Sequence, residues 1–226
     1  MDISYTLTSP DVETGAYLAV LDEFGTLQYA IDNMSAAEAI TPGYLQKHRK
    51  LFKHAAAVFL DSNLSPRTMV SASKLARKYN VPIAADPTSL VLAPNLKPLL
   101  ADLWLVTPNE NEAYVLCPLE NPGALPARAI ATARSLVSAG VEYAVITLAE
   151  FGLGYATNAS SGHVPAVKTE VLDPTGAGDA LTAAVLFALL NNIPVDEAAR
   201  LGAAAASLTL RTPGSVVPDL SLELLY

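Results

Sequence analysis

Three small residues and an acid, Gly176-Ala177-Gly178-Asp179, stand immediately before an almost wholly apolar stretch at 180–190. The first backbone N–H groups of a helix have no partner inside it and carry a partial positive charge. Glycines on the approach let the backbone come close to a bound anion, with those amides aimed at it. Gly176, Ala177 and Gly178 therefore read as an anion hole. Asp179 reads as a first-turn acid that the same dipole keeps ionised in an apolar setting. Such a carboxylate can take a proton from a hydroxyl while that hydroxyl attacks a phosphoryl group. The amides would hold the charge that builds on the transferring oxygens. The structural alternative is a tight strand-to-helix turn with a favourable first-turn acid. No GxxxxGK[ST] pattern occurs in the chain, which argues against a P-loop NTPase.

The elements that must position this turn alternate along the chain. Residues 14–33 pattern as a β-hairpin, with Gly25 available for a positive-φ turn position. Pro42 opens a basic, amphipathic segment through Lys53. Strand patterns at 55–61 and 81–87 each end near an acid and flank a helix pattern at 65–80. A strand running into a loop is expected over 100–109, then a short helix at 111–116 and a helix over 124–140 closed by Gly140. Residues 141–155 pattern as one strand or two joined at a turn, 164–176 as mostly extended, and 177–191 and 195–211 as helices. Short apolar strands alternating with helices predict a parallel sheet covered on both faces. Its ligand would sit beyond the carboxyl ends of the strands. Polar residues collect at those ends: Asp61, Asp86 with Thr88, Thr107 with Asn109, Thr147, and Asp173. The hairpin stands outside the alternation and reads as a lid beside the shared crevice.

Composition bounds the function classes. Apolar residues make up 51% of the chain and charged ones 16%, the balance of a packed globular protein and not of a disordered one. A net charge of −8 argues against coating nucleic acid, which needs clustered Lys and Arg. Cys117 is the one cysteine, so no internal disulfide forms, and a reducing compartment is expected. The start of the chain lacks a basic and then apolar leader pattern, and 180–190 is too short to span a bilayer. The expectation is a soluble, cytoplasmic protein without a membrane partner. His48, His54 and His163 lack metal-ligand spacing, and Trp104 reads as core.

Three motifs in order carry a resemblance. Asp173-Pro-Thr-Gly-Ala-Gly-Asp179 resembles the C-terminal signature of the ribokinase-like, or PfkB, kinases of sugars and nucleosides. Thr107-Pro-Asn-Glu-Asn-Glu-Ala113 resembles that family's Asn-x-x-Glu motif, and Val145-Ile-Thr-Leu-Ala-Glu-Phe-Gly152 its nucleotide-binding strand and loop. The resemblance implies a single domain over 1–226 with a three-layer α/β/α, mostly parallel sheet. The 14–33 hairpin would be its lid, and 41–226 its core, with the nucleotide bound by the C-terminal half. It implies ATP and Mg²⁺, with K⁺ in some settings, and a small nucleoside or sugar as partner, in a chain that could form a homodimer. Position by position, Asp179 would be the base and 176–178 the anion hole. Asn109 and Glu112 would organise Mg²⁺ and its waters, Thr147 and Gly152 would touch the nucleotide, and Asp173 would help hold a monovalent cation. Arg211 to Ser215 would close the adenine side. Ala149 stands where the family usually has glycine. The 14–22, 59–64 and 86–89 stretches are most similar to the pseudouridine kinase branch, which implies Thr14 and Tyr17 near the substrate. The runner-up readings are another sugar or nucleoside kinase, and a non-catalytic nucleotide-binding fragment. Family members normally begin with a strand, a Gly-Gly loop and an Asn-rich helix, so this chain is expected to be N-terminally truncated.

Overall fold

A computed structural model of the chain describes residues 2–22, 27–119 and 123–225. Strands β1 (Ala16–Leu21) and β2 (Leu27–Asn33) pair antiparallel and form a two-stranded sheet of their own. The turn assigned to Gly25 lies outside the described residues. Leu18 pairs with Ile31 and Val20 with Tyr29, which puts these four on one face of the ribbon. Leu18, Tyr29 and Ile31 are all exposed there, as is Tyr17 on the opposite face.

The basic segment is two helices and not one. Helix α1 (Pro42–Lys47) starts on a Thr41 cap whose hydroxyl accepts from the Tyr44 N–H, and α2 (Arg49–His54) follows after a break at His48. The His48 ring packs against Tyr44 and Tyr5. Strand β3 (Val58–Asp61), helix α3 (Pro66–Lys78) and strand β4 (Ile83–Asp86) follow in the predicted order. The strand expected over 100–109 shrinks to β5 (Leu105–Val106). Residues Ala93–Asp102 form a 3₁₀ helix instead, with Leu96, Leu99 and Leu100 buried at helical spacing, a period that the apolar run concealed. Helix α4 (Glu110–Leu116), α5 (Ala127–Ser138), then β6 (Tyr143–Thr147), β7 (Leu153–Ala156) and β8 (Ser161–Val164) complete the sheet. The expected extended run at 164–176 is strand only at its first residue. Helices α6 (Ala177–Leu190) and α7 (Val195–Leu210) pack on each other.

The six strands lie in sequence order, β3 to β8. β3 through β6 are parallel, β7 runs antiparallel to β6 after a tight turn at Gly152 reverses the chain, and β8 pairs antiparallel with β7. Alternate residues feed two cores. Ile83, Ala85, Val106, Ala144 and Ile146 face the side covered by α3, α4 and α5. Ala84, Leu105, Val145, Leu153 and Tyr155 face α6 and α7. Helices on both faces and strands buried twice make the three layers. Phe59 breaks the pattern. It alternates with Leu60 on β3, yet is 46% exposed, so the α6–α7 face of the sheet is uncovered at this edge. Among the described residues no helix is long and apolar enough to cross a membrane.

Candidate active site

The parallel strands end together, and their ends line a cleft of about 310 Å³. Asp61 closes β3 and Asp86 closes β4, directly opposite each other in register. Thr107 follows β5, and Thr147 closes β6, where its N–H donates to the Pro108 carbonyl at 3.0 Å. Asn109 and Glu112 enter from the start of α4, and Gly178 and Asp179 from the start of α6. Of the five strand ends expected to share a crevice, four do. Asp173 lies on an irregular segment outside it.

The Gly176–Asp179 turn starts α6, with Gly178 and Asp179 at the cleft and Gly176 and Ala177 outside its lining. Gly176 caps α6 in the left-handed conformation, φ 82°, and a Cβ there would lie 2.2 Å from the Ser215 carbonyl oxygen. Glycine is therefore demanded both by the backbone angle and by the segment that crosses it. At Gly178 a Cβ would meet nothing within 4 Å, so packing gives no reason for a glycine there. The Ala177 N–H reaches the Pro174 carbonyl only at 3.4 Å. Among the described residues no protein partner is found for the N–H of Gly176, Gly178 or Asp179. The Asp179 side chain is exposed to the cleft. A site with unpaired amides beside a carboxylate can grip an oxyanion and accept a proton from a neighbouring alcohol.

Asn109 and Glu112 satisfy each other in a capping box. The Glu112 N–H donates to Asn109 Oδ1 at 3.0 Å, and the Asn109 N–H donates to Glu112 Oε2 at 2.8 Å. That is the helix-cap arrangement such a pair adopts on structural grounds alone. Both residues also line the cleft. A hydroxyl chain ends on another residue of the cleft. Buried Thr182, on α6, donates to Thr107 at 2.9 Å, and Thr107 donates to Asp86 Oδ2 at 3.3 Å. It pins the helix of Asp179 to the end of β5.

Electrostatics in the cleft is one-sided. Asp61, Asp86, Glu112 and Asp179 line it, with no Lys, Arg or His among the lining residues. Loss of solvent, and secondarily the charge of Asp61, hold the Asp179 carboxyl above the usual aspartate range. A carboxyl so raised is, once ionised, a stronger base than a solvated aspartate. Burial likewise raises Asp86, against hydrogen bonds from Thr88 and Thr107, with Asp179 and Asp61 adding to the rise. Burial also raises Glu112, against its bond from Asn109, with Asp86 adding to the rise. A polyphosphate entering this cleft would need a cation alongside it. Among the described residues no group of three or more His, Cys, Asp or Glu is placed to enclose a metal. The carboxylates that line the cleft are hard oxygen donors of the kind Mg²⁺ takes, directly or through water.

Several residues singled out from sequence lie elsewhere. Gly152, φ 90°, sits in the β6–β7 turn, where a Cβ would lie 2.1 Å from the Val164 carbonyl oxygen, and it is not among the residues lining the cleft. Ala149, in the same turn, adopts φ 49°. Thr14 and Tyr17 are exposed on and beside the hairpin and do not line the cleft. Asp173 accepts from the N–H groups of Thr175 at 2.9 Å and Gly214 at 3.2 Å, which hold its carboxyl below the usual range and clamp the 211–215 segment onto the turn. Arg211 lines a separate cavity of about 520 Å³ with Lys168, Thr169, Glu170 and Leu172. The structure adds Phe59 to the cleft and brings Asp61, Asp86, Thr88 and Thr107 into it as the strand ends expected to share the crevice, though the sequence assigned none of them a role. Their signal in the sequence was the polar residue ending each strand. For Phe59 it was the alternation that sets it opposite Leu60.

Known proteins resemble this chain in sequence and in fold. A family model described as pfkB family carbohydrate kinase matches residues 1–221. The pseudouridine kinase of Escherichia coli is 29% identical over 217 residues, covering 96% of this chain and 68% of that protein. The guanosine-inosine kinase of Exiguobacterium acetylicum is 30% identical over 209 residues, covering 91% of this chain and 68% of that protein. The structure of a carbohydrate kinase from Agrobacterium tumefaciens superposes with a TM-score of 0.76 at 28% identity, covering 95% of this chain and 68% of its own. This chain thus spans about two thirds of the length of the relatives it matches. The ordered motifs, the six-stranded sheet with its two-stranded lid and the match over nearly the whole chain agree: the protein belongs to the pfkB family of carbohydrate kinases.

Proposed function

We propose that this chain transfers the γ-phosphoryl group of ATP to the hydroxymethyl group of a ribosyl substrate, with pseudouridine as the favoured acceptor. The observation that carries the reading is the Asp179 carboxylate, open to the cleft beside helix-start amides that have no protein partner. Asp179 takes the proton of the acceptor hydroxyl as its oxygen bonds to the γ-phosphorus and the bond to the ADP leaving oxygen breaks. The amides of 176–178 hold the charge on the phosphoryl oxygens. Mg²⁺, when bound, neutralises the phosphates. Asn109 and Glu112 would orient its waters, consistent with a cleft rich in carboxylates and without a cationic side chain. Thr147 would lie against the nucleotide, whose base would extend toward the 211–215 segment. Asp173 in this reading braces that segment by its two N–H bonds. The lid residues Thr14 and Tyr17 would reach the acceptor only if the hairpin folds over the cleft.

The preference for pseudouridine rests on the similarity to the E. coli enzyme across 96% of this chain. A second reading, a kinase of another nucleoside, is favoured by the 30% identity to a guanosine-inosine kinase. ADP release measured with ribose, fructose, uridine, adenosine, guanosine and pseudouridine tests both. Greatest turnover with pseudouridine supports the first reading, and turnover confined to another acceptor supports the second. No turnover with any of them leaves a nucleotide-binding fragment and refutes the kinase reading for this chain.

A further inference from the structure

We propose that Thr88 is a positioning residue that clamps Asp61 and Asp86 into the cleft wall facing Asp179, an inference that rests on the kinase reading above. The Thr88 N–H donates to Asp86 Oδ1 at 2.7 Å, and its hydroxyl donates to Asp61 Oδ2 at 3.1 Å. The same hydroxyl accepts from the Ser62 N–H at 3.2 Å, and the fully buried Ser62 donates its own hydroxyl to the Asp86 carbonyl at 2.9 Å. One residue therefore binds both carboxylates, which sit side by side in the register of β3 and β4. Like charges so placed repel, with no cationic side chain lining the cleft. The Asn63 N–H, donating to Asp61 Oδ1 at 2.7 Å, holds Asp61 from its own strand end, and Thr88 ties it to Asp86.

Thr88 makes these bonds from φ 65°, a left-handed conformation that a β-branched residue rarely adopts. Glycine would occupy that position more easily, but it carries no hydroxyl. Strain of this kind persists where the surroundings over-determine it, and such places cluster at functional sites. From Asp86 the hydrogen bonds continue through Thr107 to Thr182, on the helix that carries Asp179. The clamp and the base thus belong to one connected frame.

The test compares Thr88→Gly with Thr88→Ser. In steady-state kinetics Thr88→Gly raises the acceptor KM about tenfold through the lost bond to Asp61. The ATP KM stays within about twofold, and Thr88→Ser restores the acceptor KM because the hydroxyl returns. Urea unfolding supplies a readout independent of turnover. Thr88→Gly should change the urea midpoint more favourably in an Asp61→Ala background than with Asp61 present. In that background relieved strain and the lost Ser62 bond remain, but no bond to Asp61 is left to lose. Kinetics of Thr88→Gly equal to the parent, or a Thr88→Ser variant as impaired as Thr88→Gly, overturns the proposal. So does the same midpoint change in both backgrounds. A parent chain that transfers no phosphate overturns the kinase reading alone, since the urea cycle still decides the clamp.

Discussion

Replacing Gly178 with alanine separates packing from phosphate binding. A Cβ at Gly178 meets no protein atom within 4 Å, and the position lies in the first turn of α6 at the cleft. Alanine improves helix propensity there by up to about 1 kcal/mol. In a chain of this length that corresponds to a Tm rise of about 1–4 °C. The added methyl would occupy the space through which an anion approaches the amides, and loss of one oxyanion donor costs about 10²–10³ in kcat. Gly176→Ala is the matched control. Its φ of 82° costs alanine about 1–2 kcal/mol. The 2.2 Å approach to the Ser215 carbonyl forces a backbone shift worth about 1–3 kcal/mol more. The sum, about 2–5 kcal/mol, lowers Tm by several degrees or more. Differential scanning calorimetry with ADP-release kinetics on both variants reads the two effects. A Gly178→Ala protein with parental kcat/KM would show that the amides do not hold the phosphoryl group, and the reasoning would fail. Equal destabilisation by both substitutions would show that the open space at Gly178 is not real.

Asp179→Asn should cut turnover by about 10²–10⁴ while ATP affinity, read by calorimetric titration, stays nearly unchanged, and a large loss of ATP affinity would argue for a structural acid. Asp61→Asn should move the acid limb of the pH profile of kcat/KM to lower pH, because the Asp61 charge helps hold the Asp179 carboxyl above its usual range; an unmoved limb contradicts that coupling. Asp86, raised chiefly by burial, binds its proton more tightly folded than unfolded, so its contribution to stability falls as pH rises from the usual aspartate value through its raised one. Asp86→Asn should therefore flatten the decline of Tm over that interval, and an unaltered decline counts against it. Ala149→Gly relieves a left-handed φ of 49° that costs alanine about 1–2 kcal/mol, offset by about 0.4–1 kcal/mol of chain entropy. A urea midpoint equal to or above that of the parent is the expected result, and a clear decrease argues against strain at this turn.

The residue order alone sufficed for the alternation of strands and helices, the hairpin, and the turn at Gly176–Asp179 as a helix start. Each depends on local period, capping chemistry or glycine spacing, which neighbouring residues express directly. The polar ends of β3 to β6 were readable for the same reason, since a buried strand must stop where its side chains turn polar. The 3₁₀ helix at Ala93–Asp102 was not, because a short apolar run fits either period until its partners are known. Folding alone brought Thr182 to Thr107, across 75 positions, and Thr88 between Asp61 and Asp86. It also set Gly152 and Asp173 to bracing turns away from the cleft, because close approach to Val164 and Gly214 depends on segments distant in the chain. The rise of the Asp179 carboxyl was hidden for that reason too. A helix dipole is written in local sequence, whereas desolvation and the charge of Asp61 exist only once the strand ends converge.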